Sequence, residues 1–75
     1  MDWKQALVTT DGDWAYGEDG GMIQRMENDM YSVRSGNIDA ACRGDWAKVE
    51  LVVTTDDIPN ALVELNMSPD GWTFE

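Results

Sequence analysis

Residues 22–35, MIQRMENDMYSVRS, decide how this chain folds. Met22, Ile23, Met26, Met30 and Val33 recur at spacings of three and four, the period of an amphipathic helix. Gln24, Arg25, Glu27, Asn28 and Asp29 fall on the other side, and Gly36 stands where a left-handed helix cap is wanted. The spacing predicts a helix over 22–35. A competing reading folds the stretch as two strands around Glu27-Asn28-Asp29, since Asn28, Asp29, Ser32, Val33 and Ser35 are indifferent helix formers.

Upstream, Gln5 to Thr10 (QALVTT) reads as a strand ending at the turn signal Asp11-Gly12-Asp13. Trp14 to Tyr16 is the short returning strand, and Glu18-Asp19-Gly20-Gly21 a loop. Downstream, Asn37 to Arg43 forms a helical turn capped by Asn37 and ended by Gly44. Ala47, Val49, Leu51 and Val53 then alternate with Lys48 and Glu50, the pattern of a half-buried strand. After the connection 56–60, Val63, Leu65 and Met67 alternate with Glu64 and Asn66. Ser68-Pro69-Asp70-Gly71 is a strong turn signal, and Trp72 to Glu75 closes a hairpin. A helix from Ile58 to Met67, with Ile58, Ala61, Leu62 and Leu65 on one face, competes with that hairpin. The hairpin is preferred because the turn abuts a run of high β-propensity, Trp72-Thr73-Phe74.

Together these readings give an α+β fold. A small antiparallel sheet of four or five strands, with a C-terminal β-meander, carries one helix packed on one face. An all-β small barrel is the alternative. Asp2-Trp3 leading to Thr9-Thr10-Asp11 is echoed by Asp45-Trp46 leading to Thr54-Thr55-Asp56, an echo too short to establish a repeat.

With 75 residues, the chain reads as a single compact acidic domain spanning 1–75. Domains near this size bury only about 60% of the surface the unfolded chain exposes, so most need a staple. Cys42 is the sole cysteine and histidine is absent, which excludes an internal disulfide and nearly excludes a structural zinc. Aromatic packing remains: Trp3, Trp14, Trp46, Trp72, Tyr16, Tyr31 and Phe74. At least two of the four tryptophans are expected as core pillars. No apolar run is long enough for a transmembrane helix, and Met1-Asp2-Trp3-Lys4 lacks a signal-peptide layout. The sequence therefore reads as a complete cytoplasmic protein, in the host-cell cytoplasm if phage-encoded, with no membrane association.

Fifteen acids against five bases give a net charge of −10. Such a surface repels nucleic acid and attracts basic proteins. Solubility or salt adaptation accounts for the same charge, and Asp outnumbering Glu two to one suits that.

The inventory for catalysis is thin. Without histidine there is no triad and little general-base chemistry at neutral pH. Cys42, beside Ala40 and Ala41, reads as a small core residue. Asp56-Asp57 and Glu18-Asp19 sit in expected turns, where Asp serves the backbone. The acid-rich loop from Asp11 lacks the EF-hand glycine and glutamate, with Tyr16 and Met22 at those positions. No enzyme activity, metal or cofactor is expected.

The expected function is protein binding. Carboxylates held on a sheet and its turns can occupy a basic, nucleic-acid-binding site on another protein. The surface expected for this is Asp11, Asp13, Glu18 and Asp19, extended by Asp56, Asp57 and Asp70, with Trp14 and Tyr16 as aromatic anchors. By size and charge alone the chain resembles small acidic phage and mobile-element proteins that block host-defence nucleases, CRISPR effectors included. That analogy implies an anti-CRISPR-like DNA mimic with no direct nucleic-acid contact. The alternative is a small structural module, a homodimer for example, acidic for solubility, in which Met22, Met26 and Met30 form an adaptable face.

Overall fold

The computed structural model describes residues 1–9, 14–17 and 20–73. The fold is α+β. Four strands, β1 (Trp14–Tyr16), β2 (Met22–Arg25), β3 (Met30–Arg34) and β4 (Glu50–Thr54), form an open antiparallel sheet in sequential order. No barrel closes. Among the described residues, helices α1 (Trp3–Thr9), α2 (Ile38–Arg43) and α3 (Ile58–Glu64) accompany the sheet, where one helix packed on it was expected.

Residues 22–35 are a β-hairpin, not a helix. A three-residue 3₁₀ turn, Glu27–Asp29, joins β2 to β3. Asn28 and Asp29 both adopt left-handed backbone angles, φ 60° and 59°. Asn and Asp tolerate this region better than other non-glycine residues, whereas a helix would need negative φ at both. Across the hairpin Ile23 pairs with Val33, and both are fully buried. Gly36, expected as a helix cap, is not among the positive-φ glycines.

Residues 5–9 belong to a helix, not a strand. The Gln5 N–H donates to Asp2 Oδ1 (2.8 Å) and the Asp2 N–H to Gln5 Oε1 (3.4 Å). This is a reciprocal capping box, which satisfies two backbone donors at a helix start. Trp3, Ala6 and Leu7 then turn one face toward the core. The second copy of the Asp-Trp echo lies on a 3₁₀ turn (Trp46–Lys48) and β4, so the echo has no structural counterpart.

The C-terminal hairpin is also corrected. The competing helix over this region forms instead, as α3, with Pro59 in its first turn and Ile58, Ala61, Leu62 and Leu65 all buried. It ends at Asn66 (φ 55°), where the Met67 N–H reaches Leu62 O (2.8 Å) and the Asn66 N–H reaches Val63 O (3.1 Å). These are the two bonds of a Schellman cap, with Asn in the left-handed position. The meander is therefore β1 to β4. Beyond the 68–71 turn, with Gly71 at φ 80°, Thr73 bridges Tyr16 on the outer edge of β1. The expected α2 forms as read: Asn37 caps Ala40 N–H at 3.0 Å, and Gly44 (φ 76°) ends it.

The core lies on one side of the sheet. Ala15, Ile23, Val33 and Leu51 line up across the four strands, with Tyr31 and Val53 beside them. Residues of α1 and α3 and the Trp72 indole cover this row. Trp72 is 1% exposed and donates its indole N–H to Ser68 O (2.9 Å). Its ring packs so close to Gly17 and Gly21 that an added Cβ would stand 3.4 and 3.5 Å from it. Trp3 is half-buried against the same core, whereas Trp14 and Trp46 are exposed. Cys42, expected inside, is exposed on α2.

Trp72→Ala should cost about 3–5 kcal/mol, as for other buried aromatic truncations. That is a large share of the roughly 5–15 kcal/mol that holds a native domain together. Urea unfolding followed by circular dichroism measures it; a loss under about 1 kcal/mol would show that this indole does not close the core.

Candidate docking surface

Successive strand residues point to opposite faces, so burying Ile23, Val33 and Leu51 sends their neighbours outward. Trp14, Gln24, Ser32 and Val52 share one cross-strand row on the outer face, and Tyr16, Met22, Arg34 and Glu50 the next. Met30 lies opposite Thr54, and the Met26 N–H donates to Met30 O (2.8 Å), which continues the alternation to Met26. None of these residues belongs to the hydrophobic core. The Trp14 and Tyr16 rings, two residues apart on β1, lie nearly parallel (8°) with centroids 6.4 Å apart. Trp14 remains 37% exposed, Met26 46% and Val52 48%.

A polar cluster sits within this face. Ser32, buried within this face, donates its hydroxyl to Glu50 Oε2 (2.7 Å), which also accepts from the Arg34 guanidinium. These two hydrogen bonds, Arg34's first and Ser32's second, hold the Glu50 carboxyl below its ordinary value; partial burial opposes them, and the Arg34 charge adds to them. The group is kept ionised, which suits an ion pair rather than a proton donor.

The register locates the acids. Because Met30 pairs with Thr54, the Glu27–Asp29 turn and the Thr55–Asp57 turn lie at the same end of the sheet. Glu27, Asp29, Asp56 and Asp57 are all exposed there, and Arg25 reaches Asp29 at 3.8 Å. Asp70 is exposed at the opposite end, lining a cavity of about 260 Å³ with Gly17, Gly21, Asn66 and Trp72. The sheet therefore separates Asp56 and Asp57 from Asp70. Asp11, Asp13, Glu18 and Asp19 lie outside the described residues. Trp14 and Tyr16 come together as a stacked pair.

Glu27 and Asp29 fall outside the expected surface because the preferred helix absorbs their turn; the competing reading, two strands around Glu27-Asn28-Asp29, is the one that forms. The Asn28-Asp29 pair, a good left-handed turn dipeptide, was the signal that could have found them. Among the described residues, no three His, Cys, Asp or Glu side chains are grouped to hold a metal, and no buried side-chain polar atom lacks a partner. Compared with protein-family models, curated proteins and solved structures, the chain matches none.

Ser32→Ala should cost about 0.5–1.5 kcal/mol, the usual net worth of a hydrogen bond. Glu50→Gln should cost less than about 1 kcal/mol at neutral pH, given the exposure of its pair with Arg34. Since folding lowers the Glu50 pKa, its contribution is full above the ordinary carboxylate range. It fades as pH falls through the lowered folded value. Urea midpoints of wild type and Glu50→Gln should differ at pH 7 and converge near pH 2. A difference that survives at pH 2 would assign the effect to packing instead.

Proposed function

We propose that this chain is a non-enzymatic binding protein that uses its anionic surface to occupy a basic, nucleic-acid-binding site on another protein. The observation that supports this reading is the paired acidic turns. Glu27 and Asp29 on one, and Asp56 and Asp57 on the next, flank the Met30–Thr54 register with Arg25 as the nearby base. Adjacent strands lie about 4.8 Å apart, so carboxylates carried on neighbouring strand ends repeat on the scale of successive backbone phosphates. The net charge of −10 adds a long-range field that steers cationic surfaces toward the protein. The reading belongs to a cytoplasmic setting, and small acidic blockers of host-defence nucleases are the analogy for it.

A second reading, a self-associating structural module, draws support from the exposed Trp14, Met26 and Val52 on the outer sheet face. Salt separates the two. Charge-driven association is screened over about 8–10 Å at physiological ionic strength, whereas burial of apolar surface is not.

In a capture from native host lysate, partner binding should weaken at least about tenfold between low and ~0.5 M salt. The double charge reversal Asp56→Lys with Asp57→Lys should abolish capture while costing no more than about 1–2 kcal/mol of stability, since both residues are exposed and the cost is that of two cations at the start of α3. A captured partner should lose its nucleic acid when this protein is added. Salt-tolerant capture, or capture unaffected by the reversals, would overturn the anionic reading.

A further inference from the structure

A strand at the edge of a sheet turns alternate peptide groups away from its neighbour. In β4 the phase of that alternation is fixed. The Ser35 N–H donates to Val49 O (2.8 Å), which continues the β3–β4 register by one pair. Bonded and non-bonded pairs alternate along an antiparallel ladder, so Leu51 and Val53 turn their peptide groups to β3. Glu50, Val52 and Thr54 turn theirs outward. The far edge of the sheet shows how such groups are satisfied. On β1 the Tyr16 N–H donates to Thr73 O, and the Thr73 N–H to Tyr16 O, each at 2.8 Å. Among the described residues no strand does the same for β4. Exposed edges are usually blunted by lysine, proline or a bulge within the strand. Glu50-Leu51-Val52-Val53-Thr54 holds neither lysine nor proline, and its pairing with β3 runs without a bulge. Its sole charge, Glu50, is already engaged by Arg34 and Ser32. We infer that the β4 edge receives an extended segment of a partner protein as an added antiparallel strand, and that this segment begins with Lys or Arg and continues with β-branched residues.

Charge complementarity selects that occupant. Antiparallel pairing sets the start of the incoming segment beside the end of β4. There Asp56 and Asp57 follow directly, and Glu27 and Asp29 stand on the neighbouring turn. All four are exposed, so a cationic start meets carboxylates that β4 itself does not neutralise. The remainder of the segment lies along Leu51, Val52 and Val53, where β-branched side chains pack well across a strand pair. In such strand addition the main-chain hydrogen bonds supply affinity and the side chains supply selectivity. A second copy of this chain would offer the acidic turns one lysine, Lys48, and bring another −10 with it, which opposes association.

The cationic character of the segment rests on the anionic-binder reading; its attachment to β4 does not. Two labelled peptides separate them. One has two lysines followed by alternating threonine and valine. The other is identical but N-methylated through the threonine–valine run, so it keeps the charge and loses the backbone donors that complete a ladder. Titrated at low salt and read by the anisotropy of the label, the unmethylated peptide should bind at least about tenfold tighter. In amide exchange followed by NMR, the Val52 and Thr54 N–H groups should exchange fast in the protein alone. They should slow by at least about tenfold with the unmethylated peptide bound, and stay fast with the methylated one. Val52→Pro removes an outward N–H and no bond to β3, the setting in which a strand tolerates proline, and it should erase the preference. Val52→Thr keeps the N–H and should keep the preference. Where the proline variant fails to fold, amide exchange in the wild type decides.

Equal affinity for both peptides, or binding that leaves the Val52 and Thr54 amides fast, would overturn the strand addition and leave the anionic reading standing. Binding of neither peptide at low salt would overturn both. Slow exchange of Val52 and Thr54 in the protein alone, strengthening with its concentration, would make a second copy the occupant and overturn the inference.

Discussion

One constraint governs this structure: a chain of this length has enough helix to cover only one face of a four-stranded sheet. The row Ala15, Ile23, Val33 and Leu51 must leave water, and α1, α3 and Trp72 together provide the cover. The indole is the keystone of that cover. Its segment is tied at both sides, with the Trp72 N–H bonded to Met1 O (2.8 Å) and the Trp3 N–H to Pro69 O (3.1 Å). The two ends of the chain thus meet over the core, in place of the disulfide or metal that many domains of this size employ. Among the described residues that cover lies on one side, and on the other Trp14, Met26 and Val52 retain exposure.

The α+β class was legible in the sequence, and so were β1, α2 and β4 in place, but the helix at the N-terminus, the hairpin at 22–34 and the helix at 58–64 were not the preferred readings. Met22, Met26 and Met30 explain why. Along either a helix or a strand a spacing of four returns to the same face, as from Met22 to Met26; Met30 joins them across the turn, where the Met26 N–H donates to Met30 O. The methionine face expected on a helix therefore exists, carried instead by the outer side of a hairpin. What distinguishes the alternatives is local: two consecutive left-handed residues at Asn28 and Asp29. At the N-terminus the informative signal was the Asp2–Gln5 capping box, overshadowed by the β-branched Val8-Thr9-Thr10 that follows. At 58–67 alternation and helical period both fitted, and packing decided, because Ile58, Ala61, Leu62 and Leu65 bury together only as a helix.

The candidate surface was legible in part for a similar reason. Trp14 and Tyr16 were singled out for lying among acids, and their stacking follows from a two-residue spacing on a strand. Asp56 and Asp57 were singled out as well. Their neighbours Glu27 and Asp29 were not, since adjacency across a sheet depends on the Met30–Thr54 register, which links residues far apart in sequence. The same register puts Asp70 at the opposite end. Charge composition is a property of the chain, whereas a patch is a property of the pairing.

The exposed side chains of the outer sheet face and the excess of acid bear on association in opposite ways. An exposed sheet surface bearing Trp14, Met26 and Val52, next to a free β4 edge, invites association between copies. Thr73 occupies the outer side of β1, but among the described residues no strand pairs with the outer side of β4. A chain at −10 counters this by repelling its own kind. The repulsion is not indiscriminate, because it becomes attraction toward any surface of opposite sign. On the proposed reading, the carboxylates that oppose association between copies are the same ones that would draw in a cationic surface.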